Sequence, residues 1–148
     1  MCVSLSSLSP SHGLFTNAFS SSGYAQLEKD FVTCNPMGST KDLSILLSDL
    51  MGNIQGTIQY NNEKNGVANV TDICSVMTGD KNGDTAYDRF VTLSAQYREA
   101  YGQSCEDASW DASVEYLANA AYNPANNMRP WTYQTCNEVR KGKGLVLR

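Results

Sequence analysis

Ser39-Thr40-Lys41-Asp42-Leu43-Ser44-Ile45-Leu46-Leu47-Ser48-Asp49-Leu50-Met51-Gly52-Asn53-Ile54-Gln55-Gly56-Thr57-Ile58-Gln59-Tyr60 is the stretch that decides the fold class of this 148-residue chain. Leu43, Leu46, Leu47, Leu50, Ile54 and Ile58 recur in steps that place them on one helical stripe, as expected of a helix burying one face. Ser39, with Asp42 three residues on, resembles a capping box, in which the hydroxyl satisfies an orphan first-turn amide. Gly52 and Gly56 interrupt the pattern. Each costs about 1 kcal/mol of helix stability relative to alanine, and their spacing suggests a place where a second helix packs closely.

Outward from this helix the pattern remains helical. Tyr24, Leu27 and Phe31 predict a short amphipathic helix that ends near Cys34, before Pro36. Asn61 to Gly66 is a polar loop rich in turn formers, and a brief helix from Thr71 to Met77 is anchored by Ile73, Cys74 and Met77. Asp84 is placed to cap a longer helix running to about Tyr101, with Phe90, Leu93 and Tyr97 on its buried face. A further helix from about Asp107 to Asn119 is expected to bury Trp110, Val114 and Leu117. Past Pro130, the alternation of Trp131 and Tyr133 reads as extended chain. The expected fold is therefore all-α with a short extended exit segment. No internal repeat is evident.

Composition narrows the function classes. With 41% hydrophobic and 18% charged residues, the chain has the make-up of an ordinary single domain. No apolar run approaches the roughly 20 residues of a membrane helix, so no membrane association is expected. Residues 139–148 hold four of the 11 basic residues, leaving 7 against 15 acidic residues in the body. Such a body has no basic stripe for phosphates, which argues against nucleic acid as a partner. No glycine-rich phosphate cradle follows a strand either, and no cofactor is expected.

Five cysteines, at positions 2, 34, 74, 105 and 136, are scattered without a Cys-x-x-Cys pair, and the chain has one histidine, His12. That argues against a zinc site. Scattered cysteines fit a secreted or lysosomal disulfide frame, and equally a set of small buried thiols. Asn69-Val70-Thr71 is an N-glycosylation sequon, which suits the first reading. Residues 1–14 have no basic start and are broken by Pro10, so no signal peptide is read there. Asp80, Asn82 and Asp84 have the spacing that opens a calcium loop, but Thr85 stands where that loop needs glycine and Val91 where it needs a bidentate glutamate. A turn through Asn82-Gly83 accounts for the same residues.

No catalytic residue is assigned. A hydrolase serine elbow needs the string Gly-x-Ser-x-Gly, which the sequence lacks, and Ser20 to Ser22 before Gly23 follow no strand-forming run. His12 precedes every candidate acid and has no orienting partner in view.

The segment Trp131-Thr132-Tyr133-Gln134-Thr135-Cys136-Asn137-Glu138 combines two aromatics, an amide, a thiol and a carboxylate. It resembles the tryptophan-tyrosine-glutamine-x-cysteine-x-glutamate signature of the serine peptidase family that includes prolyl carboxypeptidase, dipeptidyl peptidase II and the thymus-specific serine protease. Residues 51–61 and 69–78 resemble two more segments of that family, particularly its nematode members, in the same order. The likeness runs from about Phe31 to Glu138.

The resemblance implies a helical cap inserted into an α/β-hydrolase, with the Ser, Asp, His triad and the rest of the hydrolase core outside this chain. It divides the chain into a divergent leader at 1–19, a cap at 20–138 and a basic tail at 139–148 that departs from the family pattern. It implies a disulfide between Cys34 and Cys105, a pairing of Cys74 with an upstream cysteine for which Cys2 is placed, and a partner for Cys136 beyond the chain. It also implies an exopeptidase acting on peptides with proline near a terminus. Trp131, Tyr133 and Glu138 are the candidate substrate-facing residues: the aromatics as apolar walls, the carboxylate as a pole for an amine or as an anchor. The other reading is a disulfide-stapled helical module that binds a ligand or partner, or is inert.

Overall fold

The computed structural model describes residues 21–62, 69–121 and 128–137. These form six α-helices, α1 (Ser21–Phe31), α2 (Thr40–Gln59), α3 (Val70–Thr78), α4 (Ala86–Tyr101), α5 (Trp110–Ala118) and α6 (Met128–Asn137), with a single 3-10 turn at Asp80–Asn82. Cys2, His12, Glu138 and the 139–148 tail lie outside the described residues, as does most of the loop that follows Asn62.

The capping chemistry sets where the helices begin. Ser39 Oγ accepts from the Asp42 amide, while Asp42 Oδ2 accepts from the Ser39 hydroxyl at 2.7 Å and from the Gly38 amide at 3.1 Å. From that start α2 buries Leu43, Leu46, Leu50 and Ile54. Its stripe ends on Thr57, not on Ile58 as the sequence pattern suggested: Ile58 is 55% exposed. One residue rotates a helix by about 100°, which carries Ile58 off the stripe and puts Thr57 on it. The buried Thr57 hydroxyl is satisfied by the Asn53 carbonyl and the Tyr97 hydroxyl. Close helix packing at Gly52 and Gly56 is also overturned, because a Cβ at either position meets nothing within 4 Å.

Asn69 caps α3 through a reciprocal pair with Asp72, and Thr85 does the same for α4 with Asp88. The α4 cap is therefore Thr85 and not Asp84. A Thr-x-x-Asp pair satisfies two orphan donors reciprocally. Gly83, just before it, has φ 137°, and a Cβ there would come within 2.4 Å of the Asp88 Cβ. At its other end α4 closes on left-handed Gly102, whose amide donates to the Glu99 carbonyl at 3.1 Å, while the Gln103 amide donates to that of Arg98 at 2.8 Å.

By its contacts the chain divides into two compact units, Met1–Trp110 and Asp111–Arg148. In the first, α4 packs on α1 and α3, and α3 on α2. Phe31, Leu46 and Met77 are fully buried at the centre. The Phe31 ring meets Tyr87 and Phe90 edge-on at 6.0 and 5.8 Å, the geometry that aromatic quadrupoles favour. The chain leaves α1 through Val32 at φ 53°, a strained conformation for a β-branched residue. It then runs beside residues 105 and 106: Glu106 N donates to the Val32 carbonyl and Cys34 N to the Glu106 carbonyl, both at 2.9 Å. A Cys34–Cys105 disulfide fastens this crossing, the pairing that the family resemblance implied.

The second unit departs most from expectation. No residue of α5 or α6 is buried. Trp110, the last residue of the first unit, and Leu117 are half-buried and Val114 is 47% exposed, so the buried face expected along α5 does not form. The extended exit segment is likewise overturned, since Trp131 and Tyr133 lie within α6. Pro130 occupies the first turn of that helix, where a missing N–H costs nothing because no intrahelical acceptor awaits it.

Candidate functional site

The described residues present three chemically distinct places. The most tightly built is a polar node in the first unit. The disulfide holds residue 106 against the end of α1, which carries the Glu106 side chain inward until the residue is 2% exposed. A buried carboxylate needs partners. Ser94 Oγ donates to Glu106 Oε1 at 2.9 Å, and Arg98 Nη1 lies 3.6 Å from the same oxygen. Arg98 Nη1 also donates to the Phe31 carbonyl at 2.9 Å and to Ser94 Oγ at 3.1 Å, so one guanidinium ties α4 to the end of α1.

Asp49, on the outer side of α2, belongs to the same electrostatic neighbourhood. Its carboxyl is pushed up to about 6, first by crowding that removes water and then by the charges of Asp107 and Glu106. The residue as a whole still reaches solvent. Ser94 and Glu106 are 3% and 2% exposed, so no substrate reaches the hydroxyl–carboxylate pair and the chemistry of the node is to hold structure.

The second place is a groove of about 420 Å³ between α3 and α4, walled by Ile73, Val76, Leu93 and Tyr97 and edged by Asp72 and Gln96. The bond between Tyr97 and Thr57 pins the ring in the groove floor. Burial raises the Tyr97 phenol from its ordinary value, while the Thr57 bond pulls the other way. The groove therefore offers a neutral apolar wall with a polar rim, suited to an apolar group and unsuited to acid–base work. Among the described residues no group of three His, Cys, Asp or Glu side chains is placed to hold a metal ion.

The third place is α6. Trp131 is 60% and Tyr133 69% exposed. Two residues apart on a helix is about 200°, so these rings point to different sides and cannot form the single wall that an extended segment would give them. Cys136 is exposed on the last turn, and Asn137 Nδ2 donates to the Tyr133 carbonyl at 2.9 Å. Glu138, the carboxylate of the same signature, lies outside the described residues.

Sequence reasoning missed the Glu106–Arg98–Ser94 node, as well as the Asp42 carboxylate that accepts from the Trp110 amide at 3.1 Å with Lys41 set 5.4 Å over the Trp110 ring. These contacts join segments far apart in the chain, and no local period encodes them. The adjacency of Glu106 to Cys105 was the one available hint.

Comparison with known proteins gives these places a family. A model described as serine carboxypeptidase S28 matches residues 14–141, beginning within the expected leader and running just past Glu138. The thymus-specific serine protease of Mus musculus is 26% identical over 118 residues, covering 77% of this chain and 23% of the relative. The Homo sapiens thymus-specific serine protease gives the same identity and coverage. The chain thus spans about a quarter of the length of these relatives. No solved structure matches it. From its three signature segments and from the match over residues 14–141, the chain belongs to the serine carboxypeptidase S28 family.

Proposed function

We propose that this chain is the helical cap of a serine-type exopeptidase, with the hydrolase core supplied by the rest of the parent protein. The observation that carries this reading is the family match across a chain whose described residues form helices and no strand, and which spans only 23% of its relatives' length. In this role the core performs acyl transfer on peptides with proline near a terminus. The cap covers the site, restricts entry to chain ends and excludes water. Trp131, Tyr133 and Glu138 are the residues we assign to the substrate side. The two rings leave α6 in different directions, so in this reading they line the substrate side from separate walls. The Cys34–Cys105 disulfide supports a secretory or lysosomal setting for the parent protein. No helix among the described residues is long and apolar enough to cross a membrane. Nucleic acid, membrane and cofactor play no part in this reading.

The test is hydrolysis of fluorogenic Xaa-Pro substrates by the chain alone, by a separately expressed core from the same parent, and by the two mixed. The cap reading expects no turnover from the chain and recovery of activity on mixing. Turnover by the chain alone, or a core whose rate and size selectivity are unaffected by the chain, overturns it. The groove between α3 and α4 favours a second reading, an apolar-ligand module. That reading expects a stable monomer with a ligand in the groove and no effect on the core.

A further inference from the structure

We propose that Asn69 is an N-glycosylated residue whose capping role survives the modification. Asn69-Val70-Thr71 is the single Asn-x-Ser/Thr string with a non-proline middle residue in the sequence. A sequon alone is a weak signal, and the structure adds how its two amide atoms are divided. As the N-cap of α3, Asn69 uses its Oδ1 to accept from the Asp72 amide at 3.0 Å, while its own backbone amide donates to Asp72 Oδ2 at 2.9 Å. An amide donor at Asp72 requires oxygen, not nitrogen, at that point of the side chain, which fixes the orientation of the carboxamide. Nδ2 is then the amide atom left over from the cap, and among the described residues it donates to none. Thr71, whose hydroxyl completes the sequon, is exposed on the first turn.

Glycan transfer joins Nδ2 to the anomeric carbon of a polyprenyl-diphosphate-linked oligosaccharide. The bond from that carbon to the diphosphate oxygen breaks, the polyprenyl diphosphate departs, and one Nδ2 proton is lost. The carbonyl oxygen takes no part, so the glycosylated residue still caps Asp72. The Val70 amide is satisfied separately by Asn61 Oδ1 at 3.0 Å, so the start of α3 has support on both sides of the modified residue. The Cys34–Cys105 disulfide indicates folding in an oxidising compartment, where such transfer takes place. This site stands independently of the peptidase reading.

The full chain, directed into the secretory pathway of a eukaryotic cell and recovered with its disulfide formed, tests it. Peptide N-glycanase in heavy-oxygen water should lower the intact mass and leave labelled aspartate at residue 69. Asn69→Asp and Thr71→Ala should both abolish the mass shift yet melt close to the glycosylated wild type, because all three retain a side-chain acceptor at the cap. Asn69→Gln should abolish the shift and melt lower. An unmodified residue 69 in the oxidised, folded protein, or a mass shift retained in Thr71→Ala, overturns the site. A glycosylated wild type that melts as low as Asn69→Gln overturns the preserved cap.

Discussion

Phe31 and Leu46 are fully buried, whereas Trp131 and Tyr133, in a helix of similar make-up, are 60% and 69% exposed. The difference is not one of apolar content. In the first unit several helices converge, so each apolar stripe finds another to cover it, and α1 to α4 share one core. Helices α5 and α6, of 9 and 10 residues, are shorter than the roughly 12–15 residues at which isolated helices become marginal in water. None of their residues is fully buried, and Val114, Tyr116, Met128, Trp131 and Tyr133 are about half exposed or more. Apolar surface displayed this way marks an interface or a liability. Under the cap proposal part of this surface is covered by a hydrolase core.

The contrast can be broken first at its strongest point. Phe31→Ala should cost about 4 kcal/mol in a denaturant titration, through lost burial and the cavity left among Tyr87 and Phe90. Loss well under about 2 kcal/mol would mean that the first unit is not packed as described. Next in size, replacing Cys34 and Cys105 together with serine releases a 71-residue separation and should cost about 3 kcal/mol. It should also loosen the Glu106–Arg98 node, read as faster hydrogen exchange at residues 32–34 and 106.

Smaller effects sharpen the picture. Gly52→Ala should stabilise by up to about 1 kcal/mol, because the helix gains propensity and the added methyl meets nothing within 4 Å. A destabilised variant would reveal a partner pressed against that face.

Asp49 supplies the pH dependence. Its folded value of about 6 lies above the ordinary unfolded value near 3.9, so the folded state holds the proton more tightly. That contribution is complete below about pH 4 and is lost as pH rises through 6. Asp49→Asn should therefore gain stability at pH 7, by no more than about 1 kcal/mol given its contact with solvent, and flatten the pH 4–6 slope.

Asp42 and Asp88 act in the opposite sense. Burial opposes ionisation of Asp42, but bonds from Ser39, Trp110 and Gly38 outweigh it and hold the carboxyl low. The bonds from Thr85 hold Asp88 low. Their contributions are present above the ordinary carboxylate range and lost as acid protonates them. At the small end of the scale, Trp131→Ala and Tyr133→Ala should change the stability of this chain by less than about 0.5 kcal/mol while weakening its association with a core.

How much of this could be read from sequence depended on distance along the chain. The α2 stripe, the Ser39 cap and the Phe90, Leu93 and Tyr97 face were legible because each is set by neighbours within one or two turns. Thr85 was overlooked for Asp84, since either residue can cap and only the Asp88 partner three residues on decides. The exit segment was misread because alternating aromatics after a proline fit a strand, while proline equally opens a helix. The Glu106 node lay beyond reach, since it arises only when the disulfide brings together residues far apart in sequence. The candidate substrate-side residues rest on family resemblance alone. Local periodicity assigns Trp131 and Tyr133 no role.

The most direct measurement is hydrogen exchange of the chain alone and mixed with its parent's hydrolase core. We expect α2 and α4 to exchange slowly in both samples, and α5 and α6 to exchange quickly alone but at least about tenfold more slowly in the mixture. Helix α6 as protected as α4 in the isolated chain, or unaltered by the core, would contradict the account.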